Sequence, residues 1–140
     1  MIIGVPKEIK NEENRVAMVP SGVKSLKSAG HSVLIQKGAG LNSGISDKDY
    51  EKEGARIVDS AEEVYNQAKL ILKVKEPLPV EYKFLKDNQI IFTFFHFAAG
   101  KRLTEAVVES GCTAIAYETV EAKDGKLPLL TPMSEIAGKM

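Results

Sequence analysis

Gln89-Ile90-Ile91-Phe92-Thr93-Phe94-Phe95, followed at once by His96, is the stretch that decides the fold. Only Gln89 and Thr93 interrupt its apolar character, so neither side reads as a solvent face, the pattern of a parallel strand covered on both sides. Leu70-Ile71-Leu72-Lys73-Val74 has the same character, and both runs are expected mid-sheet. Between them Pro79 to Leu85 reads as a helix. After His96, the spacing of Leu103, Ala106 and Val107 marks another, ending near Gly111 and followed by a strand from Thr113 to Ala116.

Toward the N-terminus the same alternation continues. Ile2 to Val5 is a β-branched run that Pro6 ends, and the charged stretch through Glu13 reads as a loop. From Pro20, apolar residues at Val23, Leu26 and Ala29 recur at helical spacing until Gly30 stops the helix. A strand from Ser32 to Gln36 comes next. Asp47 to Glu53 lies between Ser46, a good N-cap, and Gly54, and precedes a strand from Arg56 to Val58. Ser60 with Glu63 forms a capping box ahead of the apolar face of Ala61, Val64, Tyr65 and Ala68. Near the C-terminus Asp124-Gly125 signals a turn, and Ser134-Glu135-Ile136-Ala137 opens a last helix. Strands alternating with helices through right-handed crossovers give an α/β fold: a doubly wound, mainly parallel sheet with helices on both faces, flavodoxin-like or Rossmann-like.

Composition narrows the partners. The 140 residues are 44% hydrophobic, enough for one ordinary core, and 19 Lys plus Arg balance 19 Asp plus Glu. Without a net field, neither nucleic acid nor an anionic membrane is an expected partner, and a small molecule is. The single cysteine, Cys112, sits at the edge of an apolar run and reads as a packed small hydrophobe in a reducing compartment. Lys7, Glu8 and Lys10 stand where a signal peptide would carry its apolar core, so the cytoplasm is expected.

Gly38-Ala39-Gly40-Leu41-Asn42-Ser43-Gly44 follows a strand and resembles a dinucleotide fingerprint. Its third glycine falls one position late and no acidic strand end sits at the usual distance, so a tight loop is the better reading. In open parallel sheets ligands bind beyond the carboxyl ends of the strands, which directs attention to three residues. Lys75 closes the Leu70 run, just before Glu76-Pro77. His96 closes the most apolar run, and imidazole is the side chain best suited to proton transfer near neutral pH. Arg15 lies beyond the first strand, where a guanidinium can grip a carboxylate, although its loop shows no anchor and Glu12 or Glu13 could simply pair with it. Each residue has an ordinary reading: a hydrogen-bonded structural histidine, or a solvated lysine such as the nearby Lys73, Lys83 and Lys86. Together, a cation, an ammonium and a proton shuttle make a site for a 2-oxo acid.

These residues resemble the alanine dehydrogenase and transhydrogenase N-terminal family over essentially the whole chain. Ile3-Gly4-Val5-Pro6-Lys7-Glu8 and Asn14-Arg15-Val16-Ala17 look like its opening. Lys73-Val74-Lys75-Glu76-Pro77, Phe92-Thr93-Phe94-Phe95-His96-Phe97-Ala98, Ala116-Tyr117-Glu118-Thr119-Val120 and Pro128-Leu129-Leu130-Thr131-Pro132-Met133-Ser134-Glu135 look like the dehydrogenase branch. The transhydrogenase branch has neutral residues where Lys75 and His96 stand. The resemblance implies interconversion of L-alanine with pyruvate and ammonium, with NAD as hydride acceptor. It implies that Arg15 holds the substrate carboxylate, Lys75 contacts the substrate and meets its developing charge, and His96 moves the proton. It further implies that Met133 lines the substrate pocket and Ser134 touches NAD, in an enzyme of the dehydrogenase branch that assembles as a homo-oligomer, a hexamer. Residues 1–132 then form the substrate-binding domain and 133–140 begin the connection to an NAD-binding domain not among the 140 residues, so hydride transfer by this chain alone is not expected. A transhydrogenase α-subunit N-terminal domain, a stand-alone 2-oxo-acid binding module and a purely structural unit are the competing readings.

Overall fold

The structure, a computed structural model, describes residues 1–139. Six strands form one sheet: β1 (Ile2–Val5), β2 (Ser32–Gln36), β3 (Arg56–Val58), β4 (Leu70–Lys75), β5 (Ile90–Phe94) and β6 (Thr113–Ala116). Their order is β3-β2-β1-β4-β5-β6, and every neighbouring pair is parallel. The chain winds outward from β1 to β3, then crosses back to β4 and winds the other way. The reversal leaves a crevice at the carboxyl ends of β1 and β4, where doubly wound sheets bind ligands.

Helices α1 (Pro20–Ser28), α2 (Asp47–Lys52), α3 (Ala61–Gln67) and α4 (Lys101–Ser110) cover the sheet, and α5 (Thr131–Lys139) follows a long irregular segment. Val23 of α1 and Tyr50 of α2 pack with Val5, Val33 and Ile35, while Val64 and Tyr65 of α3 and Leu103 and Val107 of α4 pack with Ile71 and Ile91. Leu72 packs against the first cluster and its neighbour Ile71 belongs to the second, so the two clusters lie on opposite faces. The N-caps expected at Ser46 and Ser60 are present, each hydroxyl accepting the amide three residues on. The reciprocal bond of a capping box, however, forms at Ser46 with Asp49 and not, as expected, from Glu63 at Ser60. Gly4 is required by close packing, because a Cβ there would fall 2.6 Å from Val64 Cγ1 and 2.7 Å from Ala68 Cβ of the α3 segment.

Three readings of the sequence need correction. Pro79–Phe84 is a tight 3-10 turn rather than an α-helix. Its Glu81 points inward, and its Oε2 accepts the Leu78 amide at 2.9 Å. The charged segment after β1 is not wholly solvated, because Glu8 is buried. Lys73, which resembles its solvated neighbours, is 1% exposed and lies 3.2 Å from Glu8 Oε2 and 3.1 Å from Glu81 Oε1. Glu8 Oε1 also accepts the Val74 amide at 2.6 Å, and the Tyr65 hydroxyl donates to Glu81 Oε1 at 3.3 Å. Burial pushes the Glu8 carboxyl up, against the pull of the Lys73 ammonium and the Val74 amide. Burial and the adjacent Glu81 raise the Tyr65 phenol well above its ordinary value. Two carboxylates therefore share one ammonium inside the domain, tying the β1 loop and the Pro79 turn to β4.

Candidate active site

The residues of the site are delivered by strand ends. Along β4, a regular strand would place Lys73 and Lys75 on the same side as Ile71. The pairing slips instead: Leu72 opposes Phe92 and Lys75 opposes Phe94, so three steps along β4 match two along β5. Thr93 secures the irregularity by donating its hydroxyl to the Lys75 carbonyl at 2.8 Å. A bulge of this kind re-aims the following side chain. Lys73 stays in the core with Ile71, and half-buried Lys75 joins Phe94 on the other side.

There Lys75 meets Arg15 and His96. All three line one cavity of about 330 Å³, with Phe94, Leu130 and Met133 as its apolar wall. A second cavity of about 680 Å³ adjoins it, shares Arg15, Phe94 and Met133, and adds Phe92, Tyr117 and Pro132. Tyr117 packs edge-on against Phe92 and Phe94, with ring centres 4.3 Å and 4.9 Å apart. Burial pushes its phenol up to about 12, so it remains a hydrogen-bond donor across the neutral range. The sides of β5 therefore differ from the sequence reading of a strand covered equally on both: Ile91, Thr93 and Phe95 are fully buried, whereas Phe92 and Phe94 are only half-buried and face the cavities.

The ordinary pairing of Arg15 with Glu13 is present, and it anchors the loop. Its Nε and Nη2 donate to the two carboxylate oxygens of Glu13 at 2.7 Å and 2.6 Å, and its amide donates to the same carboxylate at 3.0 Å. The Glu13 side chain is 7% exposed, and the Arg15 guanidinium holds its carboxyl below the ordinary range. The Ser43 hydroxyl donates to the Asn14 carbonyl at 2.7 Å, pinning the loop further. With Nε and Nη2 engaged, Nη1 is the remaining corner, 3.9 Å from Met133 Sδ. His96 is exposed, with φ 50° and ψ 49°, and its amide donates to Glu118 Oε1 at 2.6 Å. Lys10 and Glu76, paired with each other, close the rim beside Lys75.

Met133 and Ser134 lie on α5, both exposed, and the boundary expected between residues 132 and 133 falls inside that helix. Ser134 does not line either cavity but follows Met133, which lines both. Glu13, Tyr117 and Glu118 were missed as members of the site. The Arg15–Glu13 pairing reads in the sequence as an ordinary surface pair, and Tyr117 and Glu118 stand within the Ala116–Val120 motif without a role assigned to either.

A family model described as "Alanine dehydrogenase/PNT, N-terminal domain" matches residues 4–137. The chain belongs to the alanine dehydrogenase/PNT N-terminal domain family. It is 56% identical over its whole length to an alanine dehydrogenase of Methanococcus maripaludis, 52% to one of Mycolicibacterium smegmatis and 53% to one of Mycobacterium tuberculosis. It spans 38% of the length of each of these relatives. A solved L-alanine dehydrogenase superposes with a TM-score of 0.95 at 52% identity, over 99% of this chain and 38% of that one. A transhydrogenase from Sinorhizobium meliloti superposes at 0.79 with 34% identity, over 84% of this chain and 35% of that one. Both branches of the family thus share the fold, and the dehydrogenase is the nearer of these two.

Family membership raises the question of where a dinucleotide fits. The glycine-rich loop after β2 does not fit one. Gly38 already donates its amide to Asp47 Oδ1 at 2.8 Å, and Gly40 is wedged so that a Cβ would lie 2.8 Å from the Ile45 carbonyl and the Tyr50 hydroxyl. The Gly38 amide and the space at Gly40 are thus taken up within the loop itself. Ser134 is exposed on α5 and stands one residue after Met133. Among the described residues no group of His, Cys, Asp and Glu is placed to hold a metal ion, and no helix is long and apolar enough to cross a membrane.

Proposed function

We propose that the chain is the substrate-binding N-terminal part of an NAD-dependent L-alanine dehydrogenase, which converts L-alanine, NAD and water to pyruvate, ammonium, NADH and a proton. The observation that carries this reading is the convergence of Arg15, Lys75 and His96 on one small cavity with an apolar wall. The parent enzyme's homo-oligomeric, hexameric state and its cytoplasmic location belong to the same proposal and rest on the family resemblance.

Arg15 directs its free Nη1 to the substrate carboxylate while Glu13 holds the rest of the guanidinium still. A charged, preoriented donor binds a carboxylate with little loss of side-chain entropy. The Lys75 ammonium lies beside the substrate's second carbon and meets the charge that develops on its nitrogen or oxygen. His96 is the proton carrier. It takes a proton from the water that adds to the oxidised C=N carbon and returns that proton to the nitrogen; as the C–N bond breaks and ammonia leaves, His96 takes the hydroxyl proton, so that the C=O remains. The walls of Phe94, Leu130 and Met133 give the cavity an apolar side that accommodates a methyl side chain. NAD, when bound, would supply the hydride acceptor for the alanine Cα, and Ser134 is the residue of this domain that would touch it.

The test joins this chain to the nucleotide-binding domain of a relative and follows NADH formation from L-alanine. Alanine-dependent NADH formation that disappears with Lys75→Met supports the dehydrogenase. Nucleotide-to-nucleotide hydride exchange without alanine oxidation supports the transhydrogenase branch instead. The 140-residue chain by itself is expected to bind pyruvate without forming NADH.

A further inference from the structure

The conformation of His96 is unusual for a side-chain-bearing residue. Its φ of 50° lies in the left-handed region, as among the described non-glycine residues do only those of Glu12 and Asn88. For an L-residue this conformation costs on the order of 1–2 kcal/mol and persists where the surroundings enforce it. What enforces it here is visible on the neighbouring strand. Thr93 pairs with Ala116, so the chain leaving β6 runs beside the chain leaving β5 and brings Glu118 against His96. Tyr117, clamped edge-on by Phe92 and Phe94, fixes that segment to β5.

Glu118 Oε1 accepts the His96 amide at 2.6 Å, a charge-assisted bond to the main chain of a residue that lines the cavity. Its Oε2 is buried and has no hydrogen-bond partner among the described residues. A carboxylate with an oxygen left in this way is costly to keep for packing alone. From these observations we infer that Glu118 is a positioning residue of the reaction: its carboxylate locks the His96 main chain in the left-handed turn and so aims the imidazole into the cavity. This inference rests on the proposed role of His96. A hydrogen bond to an amide needs an acceptor rather than a charge, so glutamine should largely replace the glutamate and alanine should not.

Two measurements test it. In this chain, amide hydrogen exchange at His96 should be slow in the unsubstituted protein, similar in Glu118→Gln and at least tenfold faster in Glu118→Ala. Rapid exchange of the His96 amide in the unsubstituted chain overturns the inference without recourse to any variant. In the enzyme reconstituted with a nucleotide-binding domain, Glu118→Ala should lower kcat at least tenfold with the alanine KM within about threefold. Glu118→Gln should retain at least a third of the rate. Unchanged kcat in Glu118→Ala, alongside a His96→Ala variant that has lost turnover, overturns the inference and leaves the proposed function standing. Full turnover by His96→Ala instead removes the proposed role of His96, and the positioning role falls with it. Exchange at the His96 amide reads the anchor itself whatever the activity, so the two failures are distinguishable.

Discussion

On one side of the chain through β5, Ile91, Thr93 and Phe95 are fully buried, Ile91 and Phe95 in one cluster with residues of α3 and α4; on the other, half-buried Phe92 and Phe94 wall the larger cavity. The same contrast separates two lysines of β4. Lys73 is enclosed with Glu8 and Glu81, whereas Lys75, one bulge later, stands at the cavity with Arg15 and His96. One face of this part of the sheet is built for stability, and the other keeps cations available to a ligand. The difference arises from a single extra residue in register, since two lysines two residues apart would otherwise point the same way.

The largest effect is expected from removing the buried ammonium. Lys73→Met leaves Glu8 and Glu81 buried without a cation, and should destabilise the domain by about 3–5 kcal/mol in denaturant titrations at neutral pH. The loss should shrink in acid. Glu8's folded pKa is already raised above its ordinary 4.5, so its protonated form favours the fold. That contribution is fully present below the unfolded value and is lost as pH rises through the folded one, so a variant lacking Lys73 should be relatively better off at pH 5 than at pH 8. Equal losses at both pH values would show that Glu8 does not take up the proton.

The two faces of β5 can be compared directly. Ile91→Ala opens a cavity in the sealed core and should cost about 2–5 kcal/mol. Phe92→Ala, although it removes more atoms, acts on a half-buried ring beside existing space and should cost about 1–2 kcal/mol, mostly its packing with Tyr117. A reversed order in thermal or chemical unfolding would contradict the assignment of the faces.

Much of this arrangement is legible in the sequence. Every expected strand is present, and the caps at Ser46 and Ser60 form because they depend on residues three apart. The apolar runs place Lys75 and His96 at strand ends, and the parallel order brings those ends together. What the sequence hides is set by contacts distant along the chain. Lys73 differs from Lys83 and Lys86 only because Glu8, 65 residues earlier, and Glu81 on an inward-facing turn converge on it. The bulge after Leu72 has no glycine to announce it, and the Glu118–His96 bond joins residues 22 apart that only the β5–β6 pairing brings together.

Catalysis and stability should separate at His96. In the reconstituted enzyme His96→Ala should reduce turnover about a hundredfold, as expected for lost acid–base catalysis. The exposed side chain contributes little to the core, so unfolding stability should change by about 1 kcal/mol or less. A variant that turns over normally but unfolds easily would place His96 with the structural residues. The smallest effect is expected from Arg15→Lys, which keeps a charge but loses the planar fork gripped by Glu13. Pyruvate binding should weaken about tenfold, with stability changed by less than about 1 kcal/mol.

The most direct measurement is an NMR titration of this chain with pyruvate, following backbone amides across the domain. Saturable shifts concentrated at Arg15, Lys75 and His96, and weakened by Lys75→Met, are the predicted result. Shifts centred instead on the opposite end of the sheet, in the cavity lined by Lys27, Gly54 and Arg56, or no saturable shifts at all, would contradict the assignment of the carboxyl-edge cavity as the substrate site.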